Sequence, residues 1–554
     1  MNQSGSPISW TGAVGWAVEA RMALRAPKLD DLEFWQAQTA RVQVRQLRRL
    51  VRAASMTEIG REAGFGSIKD LPDRELLSAY RRCMPIRDYE GFRERIVRMR
   101  EHAEPDVLWP GLVRHFAQTS GTTSGDKYMP VSKALFRSNY RASLDIFATL
   151  MRWGVPLTRI MSGRCLFLGG STDLDTNEHG IHTGDLSGLV TPMIRWPISQ
   201  VYTPGPDIAL MSDWPAKIEA MAQRTIDQDV RMVSGMPSWA GVLFKRIIEL
   251  SNERGHSATC MRDIWPNLEL FVHGGVNYVP FKPQLAELAM GDADSDFPER
   301  VELYPASEAF VAIQDERAEP GLRLCADHGI FFEFVPLEQI HNADPDSFAC
   351  WEVEPGQRYV VVLSTCAGLF RYILGDVVEF DSVPGDLEGA GGTGVARLRI
   401  VGRHRLFINA FGENLIVEQI ERAVAEAADA VGVRVGEFTA APVYPNSTTR
   451  AGLELAIEAE MTDDQRQLFG RIFDDVLKEQ NVDYSIKRSE GLGMAEPTIS
   501  LLPGGAFHRW LDSMGKLGGQ HKCPRCANHR EILESVLASR GDRMLGQSCT
   551  SAGA

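Results

Sequence analysis

The stretch from Thr119 to Lys127, TSGTTSGDK, has the residue types that could hold a phosphate group. Glycines let the backbone approach a ligand closely and adopt positive φ angles. Hydroxyls and backbone amides can donate hydrogen bonds, and a lysine adds positive charge. The candidate hydroxyl donors are Thr119, Ser120, Thr122, Thr123 and Ser124. Such stretches also serve as flexible linkers, and the residues alone leave that alternative open.

This stretch is not a Walker A loop, which requires the pattern GxxxxGK[ST]. Gly121 and Gly125 are too close together for that pattern, and Asp126 stands where the Walker lysine should be. The usual kinase or GTPase interpretation therefore fails on spacing, while phosphate binding by the backbone remains open.

Short apolar runs that alternate with helical stretches predict an α/β fold whose sheets are covered by helices. The runs RCLFLGG, LELFVHGG, RVELYPAS and RYVVVLST are typical of buried strands. The stretch PSWAGVLFKRIIELSNERG predicts a helix with Pro237 near its start and Gly255 at its end. The first hundred residues are predicted to be mostly helical, notably over LEFWQAQTARVQVRQLRRLVRAA.

A chain of 554 residues is too long for one ordinary core, since single cores stop growing near about 250–300 residues. The loop DSVPGDLEGAGGTG, rich in glycine and acidic residues, precedes a predicted strand, VARLRIVGR. We place a domain boundary near Arg403 to Arg405, which gives an N-terminal domain of residues 1–403 and a C-terminal domain of residues 404–554. The C-terminal part has strand and helix signals of its own, in LELAIEAEM, DDQRQLFGRIFDDVLKEQN and EPTISLLPGGAFHRWLDSM.

The overall charge and the hydropathy pattern exclude some classes of partner. A formal net charge of −14 argues against broad nucleic-acid binding, which depends on a basic surface. No apolar run approaches the roughly 20 residues needed to span a bilayer, and no secretory leader pattern is visible. The odd number of scattered cysteines suits reduced thiols in a cytosol. We therefore expect a cytoplasmic protein that does not act on nucleic acid or membranes; the oligomeric state is not indicated.

The segment QHKCPRCANH places two cysteines, Cys523 and Cys526, between His521 and His529. This arrangement could form a zinc site or a redox pair. Zinc sites of the finger type, however, usually have their second ligand pair a dozen or more residues away. We favour buried thiols and keep the zinc or redox protein as an alternative.

Six motifs occur in this order along the chain: TSGTTSGDKYMPVS, WPNLELFVHGGVNYVPF, LYPASEAFVAIQ, GLFRYILGDVVEF, VGRHRLFINAFGENL and GKLGGQHKCPR. In the same order they resemble the phosphate loop, the adenine segment, the Tyr-x-x-Ser-Glu motif, the Tyr-x-x-Gly-Asp motif, the hinge and the C-terminal lysine motif of one family. This is the Gretchen Hagen family of acyl-acid amido synthetases, in the adenylate-forming superfamily. The resemblance extends from about Arg45 onward. It implies a large N-terminal adenylation domain, with helix-flanked sheets and a small β-barrel, and a smaller mobile α+β C-terminal lid.

The resemblance implies a reaction in two halves. A carboxylic acid would attack ATP to give acyl-AMP and pyrophosphate. The amine of an amino acid, or another amine, would then take the acyl group to form an amide. ATP and Mg²⁺ would be required, and the partners would be small molecules. An acyl-CoA (thioester) ligase shares the first half and remains an alternative, as does a catalytically inactive nucleotide-binding regulatory protein.

The resemblance also implies roles for individual residues. Glu308 would bind Mg²⁺, and Ser307 would donate to the α-phosphate. Tyr304 would stack on adenine, and Asp376 would accept both ribose hydroxyls. Lys522 would be the catalytic lysine that the C-terminal domain delivers to the α-phosphate and the substrate carboxylate.

Three further assignments depend on weaker patterns. Gly274, Gly275 and Val276 would flank adenine, although two glycines also make a simple turn. In SGMPSWAGVLF, Met236 and Trp239 would line the acyl pocket, although a tryptophan at helical spacing is often a core residue. Arg403 and Arg405 would form the hinge, where Arg405 replaces the aspartate that is common in the superfamily.

Overall fold

The computed structural model describes residues 10–119, 127–169, 174–191, 198–211, 213–275, 278–317, 321–403, 407–408, 415–443, 452–481, 484–485, 488, 494–515, 522–527 and 529–539. The chain divides into two compact units, with the boundary between Ile400 and Val401. The boundary predicted from sequence lies three residues further along. That the two units are an adenylation domain and a lid remains a proposal.

The first unit begins with seven helices. They are α1 (Trp10–Met22), α2 (Ala26–Asp30), α3 (Leu32–Ala54), α4 (Glu58–Glu62), α5 (Phe65–Ile68), α6 (Asp73–Cys83) and α7 (Glu90–Glu101). The long helix predicted over LEFWQAQTARVQVRQLRRLVRAA is confirmed as α3. It begins after Asp31, whose side chain caps the helix by accepting a hydrogen bond from the Phe34 amide.

The rest of the first unit alternates strands and helices. In chain order these are β1 (His115–Thr119), β2 (Lys127–Pro130), α8 (Lys133–Arg152), α9 (Leu157–Ile160), β3 (Arg164–Phe167), β4 (Asp175–Thr176), β5 (His182–Gly184), α10 (Leu186–Val190), β6 (Tyr202–Thr203), α11 (Pro206–Ala209), α12 (Trp214–Thr225), β7 (Val230–Ser234), α13 (Pro237–Glu253), α14 (Met261–Ile264), β8 (Leu270–Gly274), α15 (Lys282–Met290), β9 (Glu299–Pro305), β10 (Phe310–Ile313), β11 (Leu322–Leu324), β12 (Phe331–Pro336), β13 (Phe348–Ala349), β14 (Arg358–Ser364), β15 (Tyr372–Ser382) and β16 (Arg397–Arg403). Strand β16 crosses the unit boundary. The predicted strands and the predicted helix α13 are confirmed.

Most of these strands form one sheet of twelve, in the order β13-β12-β14-β15-β16-β11-β10-β9-β8-β7-β3-β6. Strands β6, β3, β7, β8 and β9 form a series in which each is parallel to the next, as crossover helices require. The pairs from β9 through β10 and β11 to β16, and those joining β12 to β13 and β14, are antiparallel. The mixed α/β architecture expected from the sequence is confirmed.

A second, four-stranded sheet has the order β2-β1-β5-β4. Strands β1 and β2 form a hairpin that is paired up to Thr119 and Lys127. Its buried residues, including Phe116 and Met129, join one large apolar core with the antiparallel half of the main sheet and with α3 to α7. A separate core packs α1, α2 and α8 against the parallel strands.

The second unit has its own sheet and cores. Its elements are β17 (Phe407–Ile408), β18 (Leu415–Ile416), α16 (Val417–Val431), β19 (Val435–Val443), β20 (Gly452–Ala459), α17 (Asp463–Gln480), β21 (Thr498–Leu502), α18 (Ala506–Ser513) and α19 (Glu531–Ala538). Strands β19, β20 and β21 form a three-stranded sheet in that order. The strands and helices predicted for this part of the chain are confirmed. Among the described stretches of both units, no helix is long and apolar enough to cross a membrane.

Candidate functional site

The carboxyl ends of four neighbouring parallel strands, β3, β7, β8 and β9, lie along one edge of the main sheet. Met236 follows β7, Gly275 follows β8, and Ser307 and Glu308 follow β9. Ligands of α/β proteins characteristically bind outside the carboxyl ends of such strands. The structure therefore places residues predicted for the acyl, adenine and metal sites along the same edge.

The glycine pair at this edge is required by close packing of the backbone. Gly274 pairs with Leu303 of the neighbouring strand, and a Cβ atom on Gly274 would lie 2.4 Å from the Leu303 carbonyl oxygen. Gly275 has a φ angle of +81°, in the left-handed region that favours glycine. Val276, the third predicted adenine residue, lies outside the described residues. The turn thus has a structural need for both glycines, and its role in flanking adenine remains a prediction.

Tyr304 and Asp376 come from different motifs and are in direct contact. The Tyr304 hydroxyl donates a hydrogen bond of 2.6 Å to Oδ2 of Asp376, and both side chains are buried. Tyr304 lies on β9 and Asp376 on β15, with three strands between them in the sheet order. A flat sheet would separate these two strands by about 19 Å. The contact therefore requires the sheet to curl strongly between β9 and β15.

Glu308 lies in the tight turn between β9 and β10, which the Ala306 amide closes by donating to the Ala309 carbonyl at 2.9 Å. Its side chain is 8% exposed, and the neighbouring Ser307 is half-buried. A carboxylate is a preferred ligand of Mg²⁺, so the donor type of Glu308 fits its predicted role.

The structure describes the strands on either side of the predicted phosphate loop, but not residues 120–126 of the loop itself. Ser120, Thr122, Thr123 and Ser124 lie outside the described residues, and of Thr119 only the backbone is described, at the end of β1. The hairpin that carries this loop shares its apolar core with Tyr304 and Tyr372. Its base is therefore anchored in the same core as the two strands that carry Tyr304 and Asp376.

A short segment between α6 and α7 joins that hairpin to β15. The Tyr128 amide of β2 donates to the Tyr89 hydroxyl at 3.0 Å. Two residues earlier, Arg87 exchanges backbone hydrogen bonds with Arg371 and Ile373 at the start of β15. The segment thus ties the hairpin to the strand that carries Asp376.

A group of aromatic and charged residues supports the glycine turn and was not singled out from the sequence. His273, just before the turn, stacks on Tyr278, just after it, with ring centroids 4.5 Å apart. Arg300 donates from Nη1 to Nε2 of His273 at 2.9 Å and lies over the Tyr278 ring. Burial, and then the charge of Arg300, lower the pKa of His273 to about 3. Stacking of aromatic residues across a short turn is a signal that could have identified this group.

Lys217 is a second residue that the sequence did not reveal. It lies on α12 and is fully buried, and its Nζ donates to the carbonyls of Ala209 at 2.7 Å and of Gly169 at 3.3 Å. Gly169 follows β3, at the same edge as the residues above. Burial lowers the pKa of Lys217 to about 8, although Asp185 opposes this shift. Lysine is ordinary in an amphipathic helix, so nothing in the sequence marks it as buried.

The structure gives less geometry for the residues predicted for the acyl pocket, the hinge and the catalytic lysine. Met236 precedes the first residue of α13, and Trp239, in its first turn, is half-buried. Arg403 ends β16, and Arg405 lies outside the described residues. Lys522 lies in the second unit and is exposed. Its predicted delivery to a nucleotide stays a prediction.

Cys523 and Cys526 are both buried but belong to two different apolar clusters. Burial raises the pKa of the Cys523 thiol to about 12 and also raises that of Cys526. Backbone hydrogen bonds between Ala440 and residues 525 and 527 hold the segment against β19. Two inert thiols in separate cores favour the structural interpretation over zinc or redox chemistry.

One group of potential metal ligands, Asp145, Asp327 and His328, is found within the described residues. The guanidinium of Arg25 already pairs with both carboxylates, at 2.6 Å and 2.7 Å. A fixed positive charge therefore takes the place that a cation would need, and the group does not fit a metal site.

Family models match this chain in three parts. The GH3 family N-terminal domain matches residues 28–203 and 172–293, the central domain matches residues 323–386, and the C-terminal domain matches residues 418–531. Together they span most of the sequence; Asp376 lies inside the central-domain match, and Tyr304 lies between the N-terminal and central matches.

Two curated relatives illustrate the sequence similarity. The chain is 24% identical over 296 residues to the indole-3-acetic acid-amido synthetase GH3.3 of Arabidopsis thaliana. The aligned region covers 50% of this chain and 46% of that protein. It is 24% identical over 387 residues to the jasmonoyl--L-amino acid synthetase GH3.5 of Oryza sativa subsp. japonica. This second alignment covers 65% of this chain and 57% of that protein. The chain thus spans about half the length of the curated relatives it matches.

Two solved structures share the fold. A GH3.15 acyl acid amido synthetase superposes with a TM-score of 0.72 at 16% identity, covering 94% of this chain and 96% of that one. A 2-hydroxyisobutyryl-CoA ligase in its postadenylation state superposes with a TM-score of 0.56 at 14% identity, covering 92% and 93%. The fold is therefore shared with an amide-forming and with a thioester-forming enzyme.

Proposed function

Because the chain belongs to the GH3 family, we propose that it activates a carboxylic acid with ATP and transfers the acyl group to the amine of an amino acid, in the cytoplasm. The observation that carries the proposal is the contact between Tyr304 and Asp376, which unites two motifs 72 residues apart. In the proposal, adenine lies against Tyr304 and the ribose hydroxyls donate to Asp376.

Adenylation joins two anions, so the site must supply positive charge and hydrogen-bond donors around the phosphates. The residues 119–124 and Ser307 would donate to the phosphate oxygens. Glu308 would hold Mg²⁺, which when bound offsets the negative charge of the triphosphate. The curled sheet brings β15 close to β9, so that one nucleotide can contact Asp376 and the turn that carries Glu308.

The second half of the reaction is the attack of an amine on the acyl carbon, with AMP as the leaving group.

We propose that residues 404–554 act as a lid and that Lys522 supplies a positive charge only when this lid closes. Lys522→Ala should then slow adenylate formation far more than it weakens ATP binding. Equal losses in both measurements would make Lys522 an ordinary binding residue.

The test of the adenylation chemistry is acid-dependent exchange of labelled pyrophosphate into ATP, across a panel of small and aromatic carboxylic acids. Exchange with some of these acids supports the proposal and limits which carboxylic acids are candidate substrates. Release of ADP in place of AMP and pyrophosphate contradicts it.

A thioester ligase is the second candidate, because the fold is also shared with a CoA ligase. Supplying coenzyme A and a mixture of amino acids together, and identifying the product by mass spectrometry, separates the two. An inactive nucleotide-binding regulator would bind ATP without any exchange, and the presence of Glu308, Asp376 and Lys522 counts against it.

A further inference from the structure

Lys217, the buried lysine of α12, joins two segments that are far apart along the chain. Its Nζ donates to the Ala209 carbonyl at 2.7 Å, at the end of α11, and to the Gly169 carbonyl at 3.3 Å, shortly after β3. Taking an ammonium out of water costs free energy, which hydrogen-bonded carbonyls offset in part. One ammonium group therefore fastens the end of β3 to the end of α11.

Gly169 is also held from a second side, by the beginning of α10. A Cβ atom on Gly169 would lie 2.8 Å from Oγ of Ser187, so the two segments are in close contact. Ser187 donates to Oδ1 of Asp185 from its amide at 2.8 Å and from its hydroxyl at 3.0 Å. Asp185 is buried, and its negative charge favours the ammonium form of Lys217. The end of β3 is thus enclosed between α12 and α10.

The same end of β3 packs directly against the segment predicted to line the acyl pocket. The Leu168 amide donates to the Ser234 carbonyl at 2.7 Å, and a Cβ atom on Gly235 would lie 2.5 Å from Cβ of Leu168. The parallel register of β3 and β7, continued by two residues, places Gly169 beside Met236. Because no space is left between the two strand ends, a shift of Gly169 is transmitted to Met236.

We propose that Lys217 is a positioning residue for the carboxylic acid substrate, which fixes the end of β3 and thereby the wall of the acyl pocket at Met236. This role rests on the proposed function. Lys217 is fully buried, so it acts through Gly169 and does not need to touch the acid. Tyr304 and Asp376 lie on β9 and β15, so ATP binding should depend little on Lys217.

The charge of this lysine changes within a pH range that an enzyme assay can cover. Burial lowers its pKa to about 8, and Asp185 acts in the opposite direction. Two charged pairs join α12 to its neighbours, Arg224 with Asp207 of α11 and Glu219 with Arg246 of α13. Carboxylates and guanidinium groups keep their charges near pH 8. A neutral amine forms weaker hydrogen bonds than an ammonium, so the hold on the end of β3 should weaken as the pH rises through about 8.

The test measures pyrophosphate exchange by the full-length chain between pH 7 and pH 9.5, with an acid that the wild type accepts. The KM for the acid should rise about threefold or more over this range, while the KM for ATP stays constant. Lys217→Met should raise the KM for the acid about tenfold at pH 7 and abolish its pH dependence. The wild-type profile needs no variant, so it decides the question even where the substitution impairs folding.

Thr225→Val is the matched control. Thr225 is a buried residue of the same helix, and its hydroxyl donates to the Met221 carbonyl within the helix at 2.7 Å. The variant loses a buried hydrogen bond and should keep both KM values and the pH profile of the wild type.

The outcomes separate this role from the proposed function. If the wild type exchanges pyrophosphate with none of the acids, the proposed function fails and the role of Lys217 fails with it. If exchange occurs but the KM for the acid responds neither to pH nor to Lys217→Met, the role alone is overturned. Equal changes in the KM for ATP and the KM for the acid also overturn it, because they indicate a general structural effect.

Discussion

The hydroxyl of Tyr304 donates a 2.6 Å hydrogen bond to Oδ2 of Asp376, across three intervening strands of the main sheet. Hydrogen bonds to buried carboxylates are stronger than bonds between neutral groups. The contact orients the Asp376 carboxylate. It also requires the sheet to be curled, because three strands separate the two residues. It couples the residue predicted to stack on adenine with the residue predicted to bind ribose.

Tyr304→Phe removes this hydrogen bond and keeps the ring. We expect the free energy of unfolding to fall by about 1–3 kcal/mol, because a charged acceptor loses its partner. We also expect the KM for ATP in pyrophosphate exchange to rise while kcat changes little, since Asp376 binds the ribose less well. Chemical denaturation and initial-rate kinetics measure the two effects.

Tyr359→Phe is the control for this prediction. Tyr359 lies on β14. Its hydroxyl accepts from the Glu354 amide and donates to the Gln357 side chain, so its loss also costs stability. The KM for ATP should stay unchanged in this variant. A KM that shifts equally in both variants would mean that Tyr304 acts only through stability.

Gly274→Ala should destabilise the turn beside the proposed adenine site. The added Cβ would meet the Leu303 carbonyl at 2.4 Å, which forces β8 and β9 apart. We expect a loss of about 1–3 kcal/mol in unfolding free energy and a higher KM for ATP. Gly241→Ala in α13 is the matched control, because its Cβ would meet only a Leu285 methyl at 3.7 Å. That variant should gain up to about 1 kcal/mol.

Glu308→Gln keeps the shape of the side chain and removes its charge. If Glu308 binds Mg²⁺, the rate of pyrophosphate exchange should fall at least about tenfold, and more Mg²⁺ should be needed for half-maximal rate. Glu299→Gln tests the same change at the amino end of β9, the strand that Glu308 follows, where Glu299 pairs with Arg317. It should leave the Mg²⁺ requirement unaltered. An unchanged Mg²⁺ curve in Glu308→Gln would remove this residue from the metal site.

The sequence predicted the fold well where periodicity and composition decide the local structure. Helices α3 and α13 and the strands around Gly274 and Tyr304 follow directly from apolar spacing and from proline and glycine positions. The curl that brings β9 to β15 could not be predicted in this way, because it depends on contacts between strands that are far apart along the chain.

The site was predicted from motif order, which names residues but gives no geometry. Lys217 escaped that analysis because its importance comes from burial, and burial of a lysine leaves no mark in a local pattern. His273 was missed although aromatic residues flank the glycine turn.

His273 should make the stability of the protein sensitive to acid. Its pKa in the folded state is about 3, whereas an unperturbed histidine has a pKa of about 6.5. Between these values the unfolded chain binds more protons than the folded one, so the free energy of unfolding falls as the pH drops from 6.5 towards 3. At pH 4.5 this single group accounts for a loss of about 2–3 kcal/mol relative to pH 7.

His273→Gln removes the titrating ring while its amide oxygen can still accept from Arg300. The difference in unfolding free energy between pH 7 and pH 4.5 should therefore be smaller than in the wild type by about that amount. Asp296, which lies 3.5 Å from Arg300, is present in both proteins, so the comparison isolates the histidine. His256→Gln, at an exposed position, should behave as the wild type does. If His273→Gln loses stability in acid as steeply as the wild type, then His273 is not held neutral by burial and Arg300, and the turn at Gly274 and Gly275 is supported by stacking alone.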